Sequence, residues 1–256
     1  MSAFEGKVVI VTGAGSGIGA ATARRFAADG AAVAMSGRRR AKLEETAAGL
    51  DPARVLIWDG DVGDPADASA MVAAAAARFG RLDVLVNNAG VVTFGSFSDT
   101  PLEDWDRIMR IDVSGVVYAT RAAMPHLLES TGCVVNVSSV SGLGGDWGMS
   151  FYNAAKGAVS NLTRSLALEF GGRGVRVNAV APSLTRSEMT ADFVAKPDLM
   201  QKFAERLPLG RPAEPEEVAS VIAFLSGPDA SFVNGVVLPV DGGLSASNGQ
   251  PNLAGA

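Results

Sequence analysis

Val8-Val9-Ile10-Val11 are four consecutive β-branched side chains that run directly into Thr12-Gly13-Ala14-Gly15-Ser16-Gly17-Ile18-Gly19. A strand with one wet face alternates apolar and polar residues. This one does not, so helices must cover both of its faces. The pattern recurs along the chain. Short β-branched runs at 7–12, 32–36, 54–58, 82–86, 132–137, 176–180 and 236–239 alternate with helical stretches at 17–29, 41–48, 64–79, 101–128, 151–170 and 215–225. Such repeats take right-handed crossovers, which predicts an α/β fold: a Rossmann-type doubly wound parallel sheet of about seven strands with helices on both faces. No linker or composition break divides 1–244, so one domain is expected; 245–256, rich in Gly, Ser, Asn and Pro, reads as an irregular tail.

With 256 residues and 48% hydrophobic content, the chain can bury a sizeable core. A net charge of −5 argues against nucleic acid or an anionic membrane as partner. No apolar run has the length of a membrane span, and residues 1–6 lack the features of a secretory leader. The single cysteine, Cys133, provides no disulfide, which fits a reducing, cytoplasmic setting. One cysteine and one histidine, His126, cannot build a zinc site of the usual kind, so no metal is expected.

A glycine loop between strand and helix lets the backbone approach a pyrophosphate, which the helix N-terminus then stabilises. Gly13, Gly17 and Gly19, with Ser16 and Ile18 among them, give G-x-x-x-G-x-G rather than the common G-x-G-x-x-G. After the second strand, where NAD-binding folds place an acid on the ribose, this chain has Gly37-Arg38-Arg39-Arg40. Three arginines opening a helix oppose its dipole, and a 2′-phosphate would remove the conflict. Arg38 is the best placed, while Arg39 and Arg40 read equally as plain solvated residues. NADP(H) is therefore favoured, with NAD(H) possible. Asp61-Val62 follows the third strand near the place for an adenine; Asp61 reads equally as an adenine contact or as the cap of the next turn. Asn87-Asn88-Ala89-Gly90 closes the fourth strand, at the strand ends where ligands bind in such sheets.

Ser139 follows an apolar strand, Tyr152 comes thirteen positions later and Lys156 four beyond that. Residues four apart share a helix face, which points Tyr152 and Lys156 the same way. A phenol with a pKa of about 10 is a poor proton shuttle at neutral pH. A neighbouring ammonium favours the phenolate and makes it usable as a general acid or base.

Thr12-Gly13-x-x-x-Gly17-Ile18-Gly19, Asn87-Asn88-Ala89-Gly90, Ser139 and Tyr152-x-x-x-Lys156, in that order and spacing, resemble the short-chain dehydrogenase/reductase family. A Pro182 loop after the sixth strand and Val240-Asp241-Gly242-Gly243 extend the resemblance over 7–243. It implies an NAD(P)-dependent oxidoreductase acting on an alcohol or carbonyl, with a substrate lid near 183–212. By the same resemblance, Tyr152 is the general acid/base. Lys156 lowers its pKa and holds the nicotinamide ribose, Ser139 polarises the substrate oxygen, and Pro182 and Ser187 adjoin the nicotinamide. Two departures stand out. Asp112 replaces the asparagine usually found as fourth member of the catalytic set. Pro182-Ser183-Leu184-Thr185-Arg186-Ser187-Glu188-Met189 departs from P-G-x-I-x-T-x-M, and Arg186 could be solvated or could meet an anion.

The resemblance places the substrate pocket at Ser141, Leu143, Trp147, Met149 and Met189, a set suited to a small or medium apolar secondary alcohol or ketone. A 3-oxoacyl-thioester reductase is one alternative: Arg173 matches one of two basic docking positions, but Leu128-Glu129-Ser130-Thr131 lacks the other. A catalytically weak dinucleotide-binding sensor or scaffold is another, favoured by Asp112 and the altered Pro182 loop and opposed by the intact Ser139, Tyr152 and Lys156. The family's long helices usually pair across two-fold axes. Here the second carries a stripe of Ala154, Ala158, Leu162, Ser165 and Glu169, so a homotetramer or homodimer is expected.

Overall fold

Strands β1 (Val8–Thr12), β2 (Ala32–Gly37), β3 (Val55–Asp59), β4 (Val84–Asn87), β5 (Cys133–Val137), β6 (Arg176–Pro182) and β7 (Val237–Val240) form a single parallel sheet in a computed structural model that describes residues 3–250. The strand order is β3-β2-β1-β4-β5-β6-β7, with every neighbouring pair parallel. The helices are α1 (Gly17–Ala28), α2 (Arg40–Ala47), α3 (Pro65–Phe79), α4 (Leu102–Ile108), α5 (Gly115–Ser130), α6 (Ser150–Gly171), α7 (Ala191–Val194), α8 (Pro197–Ala204) and α9 (Pro215–Ser226).

The unbroken apolar strand at the start explains the two-layered core. Val9 and Val11 pack with Phe26 of α1, Leu43 of α2 and Ile222 of α9. Val8 and Ile10 point the other way, toward Met71 of α3, Leu127 of α5 and Ala167 of α6. Each buried Val, Leu, Ile, Phe or Met side chain among these contributes about 1.5–3 kcal/mol relative to exposure. Local signals set the helix ends. Asp64 caps α3 by accepting from the N–H groups of Ala66 and Asp67, Pro65 follows at the first turn, and Gly80 ends the helix in the left-handed region at φ 79°.

One expectation is corrected. The helix expected over 101–128 is interrupted by a π-helical segment, Met109–Ser114, between α4 and α5. The interruption turns Asp112 inward, where its Oδ1 accepts from the Val91 N–H at 2.8 Å. The stretch 183–212, expected as the lid, contains α7 and α8. In the expected tail, Leu244–Ala246 form a short 3₁₀ turn, and 251–256 lie outside the described residues. Among the described residues no helix is long and apolar enough to cross a membrane.

Candidate active site

β1 and β4 are neighbours whose crossovers leave in opposite directions, so a crevice opens at their carboxyl ends. A cleft of about 570 Å³ occupies that place. Gly13, Ser16, Gly17, Ile18, Arg38, Asp61, Val62, Asn88, Ala89, Gly90, Asp112, Ser139, Tyr152, Lys156, Pro182 and Ser187 all line it. Gly19 lies behind the loop: a Cβ there would overlap the Gly13 carbonyl oxygen and Asn88 Nδ2. Asn88 explains how the loop is held. Its amide donates to the carbonyls of Thr12 and Gly13 at 2.9 and 3.1 Å, while Thr12 Oγ1 accepts from the Asn88 and Ala89 N–H groups at 3.0 Å. The segment after β4 thus fixes the segment after β1. Ser16 makes no side-chain cap to α1 and no acid stands in its first turn, which leaves those N–H groups open to an anion such as a pyrophosphate.

Arg39 and Arg40 are mostly exposed and lie in surface ion pairs. Arg39 pairs with Glu188 at 2.7 Å, and Arg40 pairs with Glu44 and Asp59 at 3.0 Å each. Arg38 makes no ion pair or hydrogen bond among the described residues and faces the cleft. Lys42, missed in the sequence, also lines the cleft and lies 3.3 Å from Glu188. Its position three residues after Arg39 on the same helix face was the available signal. Asp61 closes a turn by accepting from the Gly63 N–H at 2.9 Å, and its other oxygen meets Arg110 at 2.8 Å. Burial favours the neutral acid, but Arg110 and the Gly63 N–H outweigh it and hold Asp61 below the usual carboxylate range. Arg186 pairs with Glu214 at 2.9 Å. Ser187 stands against the glycine loop, its Cβ 2.9 Å from where a Cβ on Gly17 would sit.

α6 brings Tyr152 and Lys156 to the cleft one turn apart, with Lys156 Nζ 5.5 Å from the Tyr152 ring centre. Lys156 also donates to the Val137 carbonyl at 3.1 Å and pairs with Asp112 Oδ2 at 3.1 Å. Ser139 is extended at the end of β5, and its Oγ accepts from the Ser141 N–H at 3.1 Å. A buried polar ladder supports these elements from below: Asn87 Nδ2 donates to Asn136 Oδ1, and Asn136 Nδ2 donates to Thr163 Oγ1, each at 2.9 Å. The electrostatics correct a simple expectation. Burial raises the Tyr152 pKa by more than the Lys156 ammonium lowers it, so the phenol ends above its ordinary value. Burial pulls the Lys156 pKa down, but Asp112 and Tyr152 push it up further.

Of the five residues expected in the substrate pocket, Met189 alone lines the cleft. Trp147 is 95% exposed and Leu143 41% exposed, because the loop Gly144-Gly145-Asp146 carries them outward. Ser141 is buried, its hydroxyl bonded to Asp146, and Met149 stands at the N-terminal boundary of α6, where its side chain makes no capping bond. Ser183 and Thr185 line the cleft instead, on the loop that departs from the family pattern.

This is the architecture of a dinucleotide-binding α/β protein with a tyrosine–lysine pair at the cleft. The family model described as enoyl-(acyl carrier protein) reductase matches residues 13–245. The chain is 51% identical to meso-2,3-butanediol dehydrogenase of Serratia marcescens over 98% of this chain and 99% of that protein. It is 39% identical to a 3-oxoacyl-[acyl-carrier-protein] reductase of Thermotoga maritima, covering 94% and 98% of the two chains. The solved structure of 3-ketoacyl-(acyl-carrier-protein) reductase from Brucella melitensis, complexed with NADH, superposes with a TM-score of 0.88 at 36% identity, covering 94% of this chain and 99% of that one. The chain belongs to the short-chain dehydrogenase/reductase family, a family of NAD(P)-linked oxidoreductases.

Proposed function

We propose that this chain is an NADP(H)-preferring dehydrogenase of small or medium apolar secondary alcohols and the corresponding ketones. The observation that carries the proposal is the convergence of Ser139, Tyr152 and Lys156 on the cleft that the glycine loop opens. When bound, the nicotinamide supplies the hydride chemistry. In oxidation Tyr152 Oη, as phenolate, takes the hydroxyl proton of the alcohol; in reduction the phenol returns a proton to the carbonyl oxygen. Ser139 Oγ holds that oxygen, and Lys156 stabilises the phenolate and reaches the ribose hydroxyls. Arg38, with its free guanidinium at the cleft, is assigned to the 2′-phosphate. Residues 183–212 act as the substrate lid, a role supported by Phe193 of α7 packing on Phe94 at a centroid distance of 4.8 Å. The chain assembles through α6, whose Ala154, Ser165, Leu168 and Glu169 are exposed in the isolated subunit.

Identity of 51% with a butanediol dehydrogenase makes a short vicinal diol and its hydroxyketone the first substrates to try. The oxoacyl reductases among the relatives keep a second reading in play. Turnover of a panel of diols, secondary alcohols, ketones and an acetoacetyl thioester, with NADP(H) and NAD(H) in parallel, separates the two. Faster reduction of the thioester than of any simple ketone would transfer the assignment to the oxoacyl class. Cofactor binding without turnover of any substrate would favour a sensor or scaffold.

A further inference from the structure

Asp112 is the anomaly of this site. Its side chain is fully buried, 0% exposed, and lies on the π-helical segment that interrupts two α-helices. Oδ1 is occupied by the Val91 N–H at 2.8 Å. Oδ2 pairs with Lys156 Nζ at 3.1 Å and meets no other donor among the described residues. That oxygen borders the cleft, 2.9 Å from where a Cβ on Gly90 would lie. An asparagine there would offer the same Oδ1 acceptor without a charge. A buried carboxylate 3.1 Å from a lysine that is itself only 4% exposed is an electrostatic choice, because neither charge has water to screen it.

We propose that Asp112 is a positioning residue that acts through Lys156: its carboxylate holds and charge-balances the ammonium on which the Tyr152 proton shuttle depends. The inference rests on the tyrosine mechanism proposed above and deepens it. Tyr152 sees the ammonium of Lys156 and, against it, the carboxylates of Asp112 and of Asp146 from the β5–α6 loop. Of the other charges nearby, Arg110 pairs with Asp61, Glu188 with Arg39 and Lys42, and Arg186 with Glu214, while Arg38 lines the same cleft unpaired among the described residues. With the Lys156 charge balanced, the phenol keeps its proton to higher pH than it would beside an unopposed ammonium. The expected consequence is an enzyme whose alcohol oxidation is displaced toward alkaline pH. Ketone reduction, which needs the protonated phenol, extends through neutrality.

The chain has two tyrosines, Tyr118 and Tyr152, so a Tyr118→Phe background leaves a single phenol to titrate by its ultraviolet phenolate absorbance in cofactor-free protein. On that background Asp112→Asn is expected to move the phenol midpoint down by about one pH unit, a tenfold change in phenolate fraction. The alkaline limb of kcat/KM for alcohol oxidation should move down with it. Asp112→Ser, smaller and also uncharged, is read the same way should the asparagine variant fold poorly. A midpoint that stays in place or rises, with the pH profile merely scaled down, would overturn the inference and leave Asp112 a purely structural residue. The result is separable from the mechanism itself: if Tyr152 proves dispensable for turnover, the mechanism fails whatever the phenol titration gives.

Discussion

Lys156 Nζ lies 5.5 Å from the centre of the Tyr152 ring, yet Tyr152 holds its proton more tightly than a phenol in water. Burial outweighs the ammonium, and Asp112 offsets part of the attraction. A raised phenol pKa leaves the acid form dominant at neutral pH. Alcohol oxidation, which needs the phenolate, is therefore expected to rise about tenfold per pH unit through the neutral range. Ketone reduction should stay flat over the same range. Initial rates in both directions across one buffer series check this. An oxidation rate independent of pH between about 6 and 9 would rule out the buried phenol as the titrating base.

Arg38→Asp should weaken NADP(H) far more than NAD(H), because it puts a like charge beside the 2′-phosphate. A loss of about tenfold to a hundredfold in NADP(H) affinity is expected from one charge-assisted contact. Fluorescence titration of both reduced cofactors measures it. Equal losses for the two would make Arg38 a structural residue and remove the basis for NADP(H) preference.

Cys133 is buried in β5, and burial pushes its thiol up to about 11, with Arg176 opposing only in part. The native protein should therefore resist thiol reagents until it unfolds. The sign of the stability effect follows. Below the ordinary thiol value both states are protonated; above it the unfolded thiol ionises while the folded one does not. Stability should thus fall as pH rises toward about 11, and Cys133→Ala should lessen that loss. Denaturant midpoints of both proteins at alkaline pH test it, and parallel curves would count against the assignment.

Most of the fold could be read from the sequence because its signals are local. Val8-Val9-Ile10-Val11 requires two covered faces, and the glycine loop marks where the first strand stops; the observed strands lie within two residues of the expected ones. What escaped depends on distant contacts. The π-helical segment at Met109–Ser114 is composed of ordinary helix-compatible residues, and its inward-facing Asp112 meets the Val91 N–H, 21 positions earlier, and Lys156, 44 positions later. Glu188 reaches Arg39 across 149 positions, a pairing that no spacing rule encodes. The resemblance places Trp147 in the substrate pocket, but in the segment that carries Gly144, Gly145 and Gly148 it stands exposed to solvent.

Self-association should be evident at low micromolar concentration. α6 leaves Ala154, Ser165, Leu168 and Glu169 exposed along the face where small residues permit close helix approach, with Leu168 87% exposed. Sedimentation velocity is expected to give a tetramer or dimer, and Leu168→Glu should shift it toward smaller species. A fully active monomer would leave that face unexplained.

Tyr152→Phe is the most direct test of the proposed chemistry, because it removes one oxygen and leaves the packing of α6 intact. Turnover in both directions should fall by about 10²–10⁴-fold, with cofactor affinity nearly unchanged. Lys156→Ala, run beside it, should lose both, since one ammonium is assigned two tasks. A Tyr152→Phe protein that retains most of its wild-type kcat would contradict the account at its centre.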